Sequence, residues 1–72
     1  MPRKSEPTLS NGVKDLRANH GMTQQELADQ VDVTRQTIVA LEGAAYTPSL
    51  ALALRIARVF GKPVEKLFWF DK

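Results

Sequence analysis

Cysteine is missing from this 72-residue chain, so neither a disulfide nor a thiolate-bound metal can hold it together, and one histidine, His20, cannot build a metal site alone. Long apolar runs are missing too. The longest, Leu50 to Leu54, is five residues, where a membrane span needs ~20. The leader MPRKSEPTLS lacks an apolar signal core, so a soluble, unexported, cytoplasmic protein is expected, without a membrane partner. Charge of one sign is nearly cancelled: ten bases against eight acids leave +2, which favours an anionic partner only weakly. No carboxylate pair, nucleophile with a base, glycine-rich phosphate loop or metal-ligand spacing can be assembled, so no enzyme, no cofactor and no small-molecule ligand is expected. Internal repeats and low-complexity tracts do not occur.

A chain this short makes one domain and buries only about 60% of its unfolded surface, which favours compact helical packing. Residues 1–8 carry two prolines, two bases and one acid, and read as a flexible basic arm whose Arg3 and Lys4 could reach along a phosphate backbone. Residues 9–68 form the folded domain, and 69–72 an aromatic tail. The first helix should run from about Ser10 or Asn11 to Asn19, with Gly21 as its left-handed stop. Thr23 and Glu26 make a capping box that opens a second helix ending near Gln30. Asp32 falls where the turn needs positive φ. Thr34 caps a third helix ending near Glu42. At Thr47, Pro48 and Ser49 a capping hydroxyl and a proline in the first turn launch a fourth helix, SLALALRIARVF, that is apolar almost all round and reads as the central post. Pro63 starts a short fifth helix to about Phe68.

Between Gln24 and Gly43, Leu27, Ala28, Val31, Val33, Ile38 and Leu41 are spaced to bury one seam between two short helices, leaving Arg35, Gln36, Val39 and Ala40 outward. A helix fits the major groove of B-DNA, about 12 Å wide, with its first residues meeting base edges. Arg35 can pair bidentately with guanine and Gln36 with adenine, while Val39 and Ala40 can contact a thymine methyl.

MTQQELAD, VTRQTIVALE, YTPSLALALRIARVFG and PVEKLF resemble the small Cro and phage-repressor type regulators, the XRE family of helix-turn-helix proteins, over residues 11–68. The resemblance implies an all-α, five-helix lambda-repressor-like bundle, with a short terminal β pairing of LFWF against Thr8 to Ser10 as an added element. Carried over by position, it implies base reading by Arg35, Gln36 and Ala40 with Val39 beside them. It implies phosphate or backbone contacts from Gln24, which would also brace Arg35 or Gln36, and from Thr34 and Thr37. It further implies an ion pair of Arg17 with Glu42.

Two positions depart from the family pattern. Asp32 stands where a turn glycine is frequent, bringing strain and a negative charge. Gly43, Ala44 and Ala45 replace the usual Asn-Gly-Lys, which removes a phosphate-binding lysine and leaves the loop amides, Ala44 and Ala45 included, with Tyr46 and Thr47, to meet the backbone. One such domain reads few base pairs, so a homodimer on a palindromic double-stranded DNA operator is expected, acting as a repressor. Val64, Leu67, Phe68, Trp69 and Phe70 are the surplus apolar residues that could form its interface. An antitoxin or a restriction-modification controller, whose DNA binding is autoregulatory, remains the alternative.

Overall fold

A computed structural model describes residues 8–71; apart from Thr8, the expected basic arm lies outside them. The order is β1 (Leu9–Asn11), α1 (Val13–Asn19), α2 (Gln24–Val31), α3 (Arg35–Glu42), α4 (Leu50–Phe60), one 3-10 turn (Val64–Lys66) and β2 (Phe68–Phe70). Four helices therefore replace the expected five. After Pro63 the chain closes a single tight turn, with Leu67 N–H donating to Val64 at 3.0 Å. Leu67 then enters the core and the next three residues leave as a strand, so no second helical turn has room to form.

The terminal strands pair antiparallel, Leu9 opposite Phe70, Ser10 opposite Trp69 and Asn11 opposite Phe68. The N-terminal partner sits one residue further on than expected. This pairing also shortens α1, which starts at Val13 because residues 9–11 are extended, and Asn11 Oδ1 accepts from the Val13 amide at 3.1 Å. Ser10 Oγ donates to Asp71 Oδ2 at 2.6 Å, closing the open end of the ribbon.

Local chemistry sets the helix ends in the middle of the chain. Thr23 Oγ1 accepts from the Glu26 amide, and Glu26 Oε1 accepts from the Thr23 amide, so each satisfies a donor the helix leaves open. α2 stops at Asp32, which takes φ 64. Ser49 supplies the capping hydroxyl of α4: its Oγ accepts from Leu52 N–H at 3.1 Å, which puts Pro48 just before the cap and not in the first turn as expected.

Val13, Leu27, Ala28, Val31, Ile38, Leu41, Leu52, Ile56, Ala57, Phe60 and Leu67 form one core, with Leu16, Met22, Val33, Val59, Val64 and Phe68 partly buried against it. Val33 thus closes the rim of the seam. α4 is not covered all round: Leu52, Ala53, Ile56, Ala57 and Phe60 face the core, but Leu50 is 70% and Leu54 50% exposed. An almost wholly apolar helix carries no signal saying which of its sides a small domain can cover. Among the described residues, no helix is long and apolar enough to cross a membrane.

Candidate nucleic-acid interface

α2 and α3 pack directly on one another, with Ala28 fully buried so that the two backbones can approach. Thr34 takes an extended conformation ahead of α3, and its Oγ1 accepts from the Thr37 amide at 3.3 Å. The two threonine hydroxyls lie 3.0 Å apart. One hydroxyl proton is used between them, and the other is left to donate outward.

Arg35 and Gln36 occupy the first turn of α3, both exposed, at the end where the helix dipole is positive. Neither side chain makes a hydrogen bond within the described residues. Val39 is 42% exposed one turn on, with Ala40 half-buried beside it. The four thus share the outer side of one capped helix.

Behind α3, three side chains tie the first three helices together. Arg17 Nε donates to Glu42 Oε2 at 2.7 Å and Arg17 Nη2 to Oε1 at 3.2 Å, while Nη1 reaches the Met22 carbonyl at 2.8 Å. The hydrogen bond to Glu42 is the main reason the Arg17 pKa is raised above its ordinary value, burial pulling the other way. Glu42 Oε1 also accepts from Gln24 Nε2 at 3.1 Å. Gln24 is therefore held by Glu42, not against Arg35 or Gln36 as expected. Its second amide proton is left over.

The loop after α3 corrects another expectation. The amides of Gly43, Ala44 and Ala45 donate to the carbonyls of Val39, Leu41 and Ala40 at 3.1, 3.0 and 2.8 Å. These amides close the helix end in a Schellman-type cap, so Ala44 and Ala45 have no free donor for a phosphate. The cap puts Ala44 at φ 61. Tyr46 and Thr47 are exposed.

Of the C-terminal apolar residues, Leu67 is fully buried and belongs to the core, which removes it from any surface. Val64 and Phe68 are packed against that core. The Trp69 indole lies over Gly12, where an added Cβ would come within 3.3 Å of its Cη2. Phe70 is left 64% exposed.

Two tethers escaped sequence reasoning. Asn11 Nδ2 donates to the Leu41 carbonyl at 2.9 Å, and Arg55 Nε to the Val31 carbonyl at 3.1 Å. They bind β1 to the end of α3 and α4 to the end of α2. Neither has a local signal, because the acceptors are backbone atoms 30 and 24 residues away.

A helix-turn-helix family description matches residues 13–67. An uncharacterised HTH-type transcriptional regulator of Archaeoglobus fulgidus is 56% identical over 59 residues, covering 82% of this chain and 84% of the relative. The transcriptional repressor RstR of the cryptic phage CTXphi, from Vibrio cholerae, is 29% identical over 59 residues, covering 82% of this chain and 53% of the repressor. Among solved structures, a candidate DNA-binding protein from Bacteroides fragilis superposes with TM-score 0.77 at 23% identity, covering 85% of this chain and 98% of that one. That last likeness concerns the fold alone.

Proposed function

The chain belongs to the helix-turn-helix family of DNA-binding transcriptional regulators, of the Cro and C1 type, and from that premise we propose that it is a repressor that binds a palindromic operator as a homodimer. The observation that carries this reading is the outer side of α3, where Arg35 and Gln36 stand exposed and unpartnered in the first turn of a capped helix. In the major groove, Arg35 reads guanine and Gln36 adenine, and Val39 and Ala40 meet thymine methyl groups. The spare Gln24 amide proton, the free Thr34 or Thr37 hydroxyl proton, Tyr46 and Thr47 meet the flanking phosphates and set the register. Repression follows from occupancy, since a protein seated on a promoter excludes the polymerase. The likeness to the Vibrio phage repressor supports that direction of control.

A single α3 covers too few base pairs for a unique address, so two copies reading half-sites about 34–36 Å apart supply the specificity. Selection of bound sequences from a random DNA pool tests this. Inverted half-sites with centres about one helical turn apart are expected, each holding adjacent guanine and adenine. Enrichment of unpaired single sites, or of no sequence, would contradict it.

A further inference from the structure

We infer that Asn11 is a site of spontaneous deamidation that the terminal ribbon holds shut, and that its conversion to aspartate or isoaspartate unties β1 from α3. This concerns the covalent chemistry of the chain itself and does not depend on the function proposed above.

Of the two asparagines, Asn19 is followed by His20 and Asn11 by Gly12. In an Asn-Gly pair no Cβ on the second residue obstructs the approach of its backbone nitrogen to the asparagine Cγ. The N–Cγ bond forms as the amide proton is lost, the Cγ–Nδ2 bond breaks, and ammonia leaves. Water then opens the cyclic imide: cleavage of the N–Cγ bond gives aspartate, and cleavage at the backbone carbonyl gives isoaspartate. Water is the only co-reactant.

Every group this reaction needs is engaged in the folded chain. The nucleophile, the Gly12 N–H, donates to the Leu67 carbonyl at 3.0 Å. Asn11 Oδ1 accepts from the Val13 amide at 3.1 Å and Nδ2 donates to the Leu41 carbonyl at 2.9 Å, so Cγ cannot swing toward the Gly12 nitrogen without breaking both bonds. Packing also accounts for the reactive pair being here at all: a Cβ on residue 12 would lie 3.3 Å from Trp69 Cη2, which favours glycine under the indole.

The restraint on Gly12 is only as firm as the ribbon. Each strand is three residues long, near a chain end, where local opening costs least. Its outer end is closed by Ser10 Oγ on Asp71 Oδ2 and by the Asp71 amide on the Thr8 carbonyl at 2.8 Å. Conversion in the open state is one-way. An aspartate keeps an acceptor for the Val13 amide but has no proton for the Leu41 carbonyl, and its charge stands at the negative end of α3. Isoaspartate also adds a carbon to the backbone, which spoils the pairing of residue 11 with Phe68.

The test ages the protein in mildly alkaline buffer when folded, in urea below the unfolding transition, and when fully unfolded. Conversion at Asn11 is read by peptide mass spectrometry, and opening by hydrogen exchange of the Gly12 amide. Conversion about tenfold or more slower in the folded than in the unfolded chain is expected, rising with urea in step with Gly12 exchange, and Asn19 should lag behind Asn11 in the unfolded chain. Asn11→Asp, which supplies the product directly, should unfold at lower urea than the parent. Equal conversion folded and unfolded, no conversion in either, or conversion indifferent to the urea that frees the Gly12 amide would overturn the protected site. An Asn11→Asp protein as stable as the parent would overturn the untying of β1.

Discussion

The Arg17 guanidinium lies side-on to the Glu42 carboxylate, at 2.7 and 3.2 Å, and so pins α1 to the end of α3. The Glu42 side chain is only 4% exposed and that of Arg17 14%. Arg17→Ala leaves a nearly buried carboxylate without its cation, and should cost about 3 kcal/mol of stability in urea unfolding. For a domain whose total stability is about 5–15 kcal/mol, that is a large share. A loss within about 0.5 kcal/mol would show the pair to be a surface contact.

The same pair predicts a flat alkaline response. Because the folded-state pKa of Arg17 is raised, its contribution is fully present below the guanidinium's ordinary range and is lost only as pH rises through the raised value. Unfolding followed from neutral to moderately alkaline pH should show no loss attributable to Arg17, that is, no difference in slope between the parent and an Arg17→Lys protein. A loss confined to the parent would contradict this.

Ala44 at φ 61 holds a conformation costing an L-residue about 1–2 kcal/mol. Ala44→Gly removes the strain and adds back some unfolded-chain entropy, for a net gain of about 0.5–1 kcal/mol in thermal or urea unfolding. Asp32→Gly, at φ 64, should gain less, since Asp tolerates this region better. In the proposed binding mode it should also raise affinity for all DNA, since it removes a negative charge. Destabilisation by Ala44→Gly would show that the loop relaxes in solution.

Thr34→Ala removes the hydroxyl that accepts from the Thr37 amide, and should cost about 1 kcal/mol of stability. Gln24→Ala should weaken binding to operator and random DNA by the same factor, because a phosphate contact carries no sequence information. A loss confined to the operator would move Gln24 into base reading.

The α2–turn–α3 unit is largely visible in the sequence because its signals are short-range. The Thr23 and Glu26 box, the Thr34 cap and the left-handed Asp32 all act within four residues, and each forms as expected. What was misread depends on distant partners. Residues 9–11 were assigned partly to α1 because their pairing with Phe68 to Phe70 spans almost the whole chain. The stretch after Pro63 has helical spacing but is drawn off into core and strand after one turn. Leu50 and Leu54 looked like core because periodicity marks an apolar side without saying whether this molecule covers it. The loop amides looked free because their acceptors, at Val39, Ala40 and Leu41, are engaged only once Ala44 turns left-handed.

In the proposed function α3 reads bases with Arg35. Titration of the Arg35→Ala protein against the selected operator and against random DNA, at one salt concentration, tests it most directly. Operator affinity should fall by about 10- to 100-fold with random-sequence affinity little changed. Equal losses on both DNAs would assign Arg35 to the phosphates and contradict it.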